Sequence, residues 1–221
     1  MKRIAICIPI KGNVSDIFLL NFSNQLIKNS RNYDLFIVSS TTMPLDSARN
    51  EILQLAMKNN PDYLWWLDSD IILPKNLDVL QSLIKNDKDI VSALYFKKEY
   101  PYHPVFIIIK DGKPSIIKPV PLNQILKVDA VGLGCCLIKR EVFEKMLEKN
   151  DNKPIFEFKK HKLSNNEIEI LSEDTTFCFK AKKNGFKIFV NTGLICKHIG
   201  KSFIDENFYN FYLNLENKDK Q

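Results

Sequence analysis

Long apolar runs, paired cysteines in metal-binding spacing and tracts of like charge are all missing from this 221-residue chain. No apolar stretch approaches the roughly 20 residues a membrane span needs, so at most peripheral membrane contact is expected. The opening MKRIAICIPIKG is basic and then apolar. It has no small-residue cleavage site, and its apolar part stops at Lys11, so it reads as a strand rather than a signal peptide. Five cysteines, an odd count, sit in apolar surroundings with no C-x-x-C spacing. That argues against a disulfide framework and a zinc site, and implies a reducing, cytoplasmic setting, with the inner face of the membrane as the place for any peripheral contact. No lysine run looks like a nucleic-acid tract. The net charge of +6, from 32 basic and 26 acidic residues, is mild and suits small anionic ligands or an anionic surface. Internal repeats and low-complexity linkers are also missing.

What is present is an alternation of apolar strands and helices. Arg3–Ile10, Asp34–Ser40, the YLWWLD run and Asp89–Phe96 read as strands, apolar on both faces. Between them lie helical patterns. One spans Ser15–Asn29 with Ile17, Leu20, Leu26 and Ile27 in helical spacing. A second is PLDSARNEILQLAMKNN, with Asp46 or Ser47 as N-cap, and a third is Lys75–Asn86. Strands apolar on both faces predict a parallel sheet covered by helices on each side. The second half changes character. PVFIIIKDGKPSII predicts a hairpin turning at Asp111 and Gly112, and Ile125–Arg140 predicts one strand containing glycines. A short helix follows, then a polar segment, Asp151–Leu171, expected to be a mobile loop. EDTTFCFKAKKNG predicts a helix closed by Gly185, FKIFVNTG a last strand, and Ile204–Leu215 an aromatic helix.

Chemistry is concentrated in DYLWWLDSDIILP, where an oily strand ends in Asp68 and Asp70. Residues i and i+2 of an extended chain point the same way, so the two carboxylates would converge at the carboxyl end of a parallel strand. That edge is where open α/β sheets bind ligands. Close carboxylates repel and call for a cation; a hard ion such as Mg²⁺ or Mn²⁺ suits oxygen ligands and phosphate. The plainer alternative is that Asp68 caps a turn and Asp70 is solvated.

Other residues stand in compatible places. Pro9 closes the first strand. Arg49 opens a helix, as a phosphate or carboxylate partner or as a surface arginine. Gly132 and Gly134 interrupt an apolar strand, which marks a bulge or the close approach of a ligand. Glu173 and Asp174 begin a helix, where carboxylates suit the dipole and one could serve as a base. His198 follows the last strand, beside a glycine.

In this order, CIPIKG, ARNEIL, YLWWLDSD, DIVSALYF, VDAVGLGCCLIKREVFE and SEDTTFCFKAKKNGFKIFVNTGLICKHIG resemble a GT-A-fold glycosyltransferase of the family 2-like kind, across nearly the whole chain. The resemblance implies an α/β fold whose mainly parallel sheet is flanked by helices, with a small mixed or antiparallel second sheet. It implies one domain over 1–221: a nucleotide-binding half to about 100, an acceptor half at about 101–215 and a frayed tail, 216–221. It implies a UDP- or GDP-sugar donor, a divalent Mn²⁺ or Mg²⁺, and an acceptor hydroxyl on a glycan, a lipid-linked group or a small molecule.

Carried over by matching motif, Asp68 would contact the ribose or the metal, and Asp70 and His198 would ligate the metal. Pro9 and Arg49 would line the nucleotide pocket, and Gly132 and Gly134 would lie beneath the donor sugar. Asp174, with Glu173 as rival, would be the base; one base without a second placed nucleophile favours inversion. Lys97 and Lys98 stand where similar sequences often carry arginine, a departure that counts against a phosphate contact there. The aromatics Phe208, Phe211 and Tyr212 repeat at helical spacing, as a membrane-facing stripe or as core.

Three other readings compete. A phosphatase of the HAD kind also has D-x-D after a strand, but its motif opens the chain and continues to a threonine. A sugar nucleotidyltransferase needs a glycine-rich basic loop, and PIKGNVSD is too poor in glycine. A catalytically lapsed nucleotide-sugar-binding subunit would have no reason to keep Asp68, Asp70, Asp174 and His198 together.

Overall fold

The computed structural model describes residues 1–149, 153–162, 168–200 and 203–218. The first half alternates as expected: β1 (Lys2–Pro9), α1 (Asp16–Asn29), β2 (Tyr33–Ser40), α2 (Leu45–Met57), β3 (Tyr63–Leu67), β4 (Ile71–Ile72), α3 (Val79–Lys85) and β5 (Ile90–Leu94). The second half holds β6 (Phe106–Lys110), β7 (Lys113–Ser115), β8 (Ile125–Val128), β9 (Ala130–Val131), β10 (Cys135–Lys139) and α4 (Arg140–Lys149). It continues with β11 (Lys159–Lys162), β12 (Ile168–Leu171), α5 (Glu173–Lys183), β13 (Ile188–Ile195), β14 (Lys197–Ile199), β15 (Phe203–Ile204) and α6 (Glu206–Lys218).

A seven-stranded sheet in the order β2-β1-β3-β10-β5-β13-β8 draws strands from both halves. β1, β2, β3, β5 and β13 run one way, and β10 and β8 the other. The sheet is therefore mainly parallel. Antiparallel β10 lies between β3 and β5, a neighbour that local pattern does not reveal. Where one small second sheet was expected, the described residues form three, all antiparallel: β15-β14-β4, β7-β6-β9 and the β11-β12 hairpin.

The sheet is buried on both faces. One face packs Ala5, Cys7, Leu64 and Trp66 against Ile52 of α2, Phe143 of α4 and Phe177 of α5. The other packs Ile6, Tyr63, Trp65 and Leu67 against Phe18 and Phe22 of α1 and Leu80 and Leu83 of α3. Successive strand residues therefore both meet apolar partners, and each fully buried large side chain is worth about 1.5–3 kcal/mol. All five cysteines are free and buried. Among the described residues no helix is long and apolar enough to cross a membrane.

Several local expectations are corrected. Helix α1 exposes Ile17, Leu20 and Ile27 and buries Phe18, Asn21, Phe22 and Gln25 instead. The buried amides are used: Asn21 Nδ2 donates to Leu73 O at 2.9 Å, and Leu73 N donates to Asn21 Oδ1 at 2.8 Å. This clamp pins the chain just beyond Asp70. The N-cap of α2 is Pro44, not Asp46 or Ser47. Helix α3 starts only at Val79, because the Asp78 side chain caps it by accepting from Gln81 N.

The Ile125–Arg140 strand is three short ones, β8, β9 and β10. The 151–171 segment contains the β11-β12 hairpin rather than a loop throughout; residues 150–152 and 163–167 lie outside the described ones. The tail expected to fray from Glu216 is helical to Lys218, and 219–221 lie outside the described residues. On α6, Tyr212 is buried, Phe208 packs on Tyr102 at 4.9 Å, and Phe211 is exposed, so most of the aromatic stripe is core. The β6-β7 hairpin does turn at Asp111 and Gly112, both with positive φ (52° and 75°).

Candidate active site

The carboxyl ends of the parallel strands meet the N-termini of α2 and α5 at one sheet edge. Helix α2 leaves the end of β2, and α5 runs back into β13, so Arg49 and the Glu173-Asp174 pair arrive beside the end of β3. Ser172 caps α5, its hydroxyl accepting from Thr175 N, which sets both acids in the first turn where the helix dipole favours negative charge.

Asp68 and Asp70 do not share one direction, as extended backbone would have placed them. The strand ends at Leu67 and the chain turns, Ile71 N donating to Asp68 O at 3.1 Å. The two carboxylates consequently meet different partners, Arg49 for Asp68 and His198 with Lys98 for Asp70.

Asp68 belongs to a buried cluster around Arg49. Arg49 Nη2 lies 3.1 Å from Asp68 Oδ1, and Nε lies 3.1 Å from Glu173 Oε1 and 3.3 Å from Asp174 Oδ1. The guanidinium sits over the Trp66 ring at 5.5 Å, and its Nη1 has no hydrogen-bond partner among the described residues. Arg49 is 1% exposed, which corrects its expected place as a wall of the nucleotide pocket. A guanidinium enclosed by three carboxylates has neither the exposure nor the spare charge to receive a phosphate. Burial lowers its pKa, but the three acids outweigh this and raise it, so it stays charged. The sequence carried a usable signal: Arg49 falls in the 3-4-7 spacing of Ile52, Leu53 and Ala56 on the buried stripe of α2.

The three acids differ in access. The Glu173 side chain is 4% exposed, that of Asp174 17% and that of Asp68 28%. Asp174 Oδ2 accepts from Leu133 N at 3.0 Å, while Oδ1 accepts no hydrogen bond among the described residues. Burial pushes the Asp174 carboxyl up to about 8; Arg49 opposes this, and the charges of Glu173 and Asp68 reinforce it. Burial also raises Asp68, against the pull of Arg49.

Asp70 meets His198, as expected. Strand β14 pairs with β4 so that His198 stands opposite Ile71, and Ile199 N donates to Asp70 O at 2.8 Å. His198 Nε2 lies 3.2 Å from Asp70 Oδ2. Its Nδ1 lies 2.9 Å from Phe96 O, and since a carbonyl only accepts, Nδ1 carries a proton there. Lys98 Nζ lies 2.7 Å from the same Asp70 Oδ2. Burial would raise the Asp70 carboxyl, but hydrogen bonds and charge from His198 and Lys98 hold it down at about 2. Lys98 is the residue the sequence reading undervalued; its place just past the end of β5, on the same edge as Asp70, was the available clue.

The glycines do accommodate a close approach, and the group that makes it is a side chain of this protein. A Cβ on Gly132 would lie 2.1 Å from Tyr95 Oη, and one on Gly134 would lie 2.8 Å from Tyr95 Cζ. Both glycines are buried, and the close approach is by Tyr95, whose Oη accepts from Gly134 N at 2.9 Å. The side on which each glycine would carry a Cβ is thus taken up by the tyrosine. Pro9 is buried at the end of β1, opposite Ser40 of β2.

For a divalent ion, Asp70 and His198 are the residues that fit. Phe96 O accepting from His198 Nδ1 is the usual support for a metal-bound imidazole, and it leaves Nε2 as the ring nitrogen on the Asp70 side. Asp68 is engaged by Arg49 at 3.1 Å. Among the described residues no cluster of three or more His, Cys, Asp or Glu is arranged to hold a metal by itself.

The Anp1 family model matches residues 42–104, a span that includes Arg49, Asp68, Asp70 and Lys98 but less than half of the chain. No curated protein matches the chain by sequence. Among solved structures, A197 from STIV superposes with a TM-score of 0.57 at 21% identity, over 90% of this chain and 86% of that one. GalNAc-T7, solved with UDP, GalNAc and Mn²⁺, superposes with a TM-score of 0.51 at 12% identity, over 96% of this chain; this chain spans 48% of that one. The fold is that of the GT-A glycosyltransferases, as the ordered motifs led one to expect.

Proposed function

We propose that this chain is a glycosyltransferase that moves a sugar from a nucleoside-diphosphate donor to an acceptor hydroxyl, with Mn²⁺ or Mg²⁺ and with inversion. The observation that carries the reading is the convergence of Asp70 and His198 beside the Arg49-ordered acids on one sheet edge. A protein of the same fold was solved with UDP and Mn²⁺, which supports this choice of donor class and ion.

Asp70 and His198 would hold the ion, with diphosphate oxygens and water completing its shell. Bound there, a divalent cation supplies positive charge for the departing diphosphate. Asp68, steered by Arg49, is the nearby acceptor for a donor hydroxyl. Asp174 is the base: it is the acid of the pair that reaches the surface, and its raised pKa suits taking a proton from an alcohol. Glu173 is the anchor, buried against Arg49. Asp68 and Glu173 are both engaged by Arg49, so among the described residues of this cluster no second carboxylate stands free as a nucleophile, which supports direct displacement with inversion at the anomeric centre.

The test is a donor screen. The protein is incubated with UDP- and GDP-sugars and Mn²⁺ or Mg²⁺, and release of nucleoside diphosphate is followed. Metal-dependent release from one donor class is expected. Binding without release points to a lapsed subunit, and no binding of either nucleotide overturns the reading.

A further inference from the structure

The cation on Asp70 in this structure is the protein's own. Lys98 Nζ lies 2.7 Å from Asp70 Oδ2, the oxygen that His198 Nε2 also faces at 3.2 Å. A divalent ion held by Asp70 and His198 has to lie at the carboxylate Lys98 now occupies. Lys98 comes from the exposed 97–100 stretch beyond β5, and its side chain is 42% exposed. Such an ion pair is weak enough to be exchanged.

We propose that Lys98 makes metal binding conditional on the nucleotide. Its ammonium holds Asp70 while no donor is present, and gives up Oδ2 only when diphosphate oxygens arrive with the ion and take the ammonium. This inference rests on the reading of Asp70 and His198 as ligands of a metal-diphosphate.

The charges support the order. Asp70 and Lys98 together are neutral. A divalent ion entering alone would crowd two cations onto one carboxylate, and the nearby Asp68 cannot help because Arg49 holds it at 3.1 Å. A diphosphate entering with the ion brings at least two negative charges, so the filled subsite returns to near neutrality and Lys98 keeps an anionic partner. The ion and the nucleotide then bind as one unit, and the free ion is turned away.

The experiment measures ion binding without turnover. Mn²⁺ is titrated into the nucleotide-free wild type, Lys98→Ala and Lys98→Arg, and the free-ion signal is followed by electron paramagnetic resonance. UDP and GDP are then titrated by calorimetry at fixed Mn²⁺. Losing a like charge beside the ion should tighten Mn²⁺ binding to Lys98→Ala alone by about tenfold or more. The same variant should bind the nucleotide more weakly with Mn²⁺ present, and Lys98→Arg should follow the wild type. Tight Mn²⁺ binding by the nucleotide-free wild type, or equal Mn²⁺ affinity in Lys98→Ala, overturns the inference while leaving the proposed function standing. Failure of every protein to bind either nucleotide overturns the functional reading, and this inference with it.

Discussion

Arg49 Nε lies 3.1 Å from Glu173 Oε1 across 124 positions of chain, with both side chains enclosed. This contact ties the start of α2 to the start of α5 and sets where Asp174 stands. A buried charge with its partners removed is costly, so Arg49→Met, which leaves three acids facing one another, should lose about 3–5 kcal/mol. Arg49→Lys should recover little, because an ammonium cannot fork between Asp68 and Glu173. Urea denaturation midpoints of the two variants check this; a near-wild-type Arg49→Met would remove the cluster as a stabilising centre.

Asp174→Asn should abolish transfer, by about 10²–10⁴-fold, and leave nucleotide affinity within a few-fold of wild type. The Asn oxygen can still accept from Leu133 N, so the fold is kept. Steady-state rates alongside nucleotide calorimetry decide it. Near-normal turnover would shift the base to another group.

The pH dependence of rate follows from the same residue. As a base Asp174 works ionised, and its carboxyl is pushed up to about 8. Turnover should rise from pH 6 and level above about 8, a limb that Asp174→Asn does not show. A flat profile over that range speaks against Asp174 as the base.

Stability should move the opposite way. Asp174 has a folded pKa of about 8 against an ordinary 3.8, so between these values the folded state binds more protons than the unfolded one. This residue's contribution is therefore lost as pH rises from about 4 to 8. Asp70, held at about 2, contributes stability above pH 4 that is lost as pH falls toward 2. Thermal melts of wild type and Asp174→Asn across pH 5 to 9 should diverge, the variant becoming relatively more stable at the alkaline end.

Gly134→Ala should cost about 1–3 kcal/mol by overpacking, since its Cβ would press on the Tyr95 ring 2.8 Å away. Tyr95→Phe should cost a similar amount for another reason: buried Gly134 N loses its acceptor. If Gly134→Ala melts like wild type, the tyrosine is not what requires the glycine.

The strand-helix order of the first half was legible because each element is announced by local pattern: both-face apolar runs for β1, β3 and β5, and helical spacing between them. The meeting of Asp70 with His198 was legible too, through the order of motifs rather than through any one of them. The inside of the site was not. Arg49 was open between a phosphate partner, a carboxylate partner and a surface residue, and the carboxylates proved right, because its three partners come from the end of β3 and from α5, far along the chain. Gly132 and Gly134 announced a close approach, but not that Tyr95 makes it.

By itself, then, the sequence determined the α/β class, the strand end that carries the carboxylates and the acids at the start of α5, because periodicity, capping and chain order are local properties. Only the tertiary structure decided that β10 lies between β3 and β5, that Asp68 turns inward to Arg49 while Asp70 turns to His198 and Lys98, and that Glu173 is buried deeper than Asp174. Those outcomes depend on strand pairing and on the balance between desolvation and charge among residues more than a hundred positions apart, which no local pattern records.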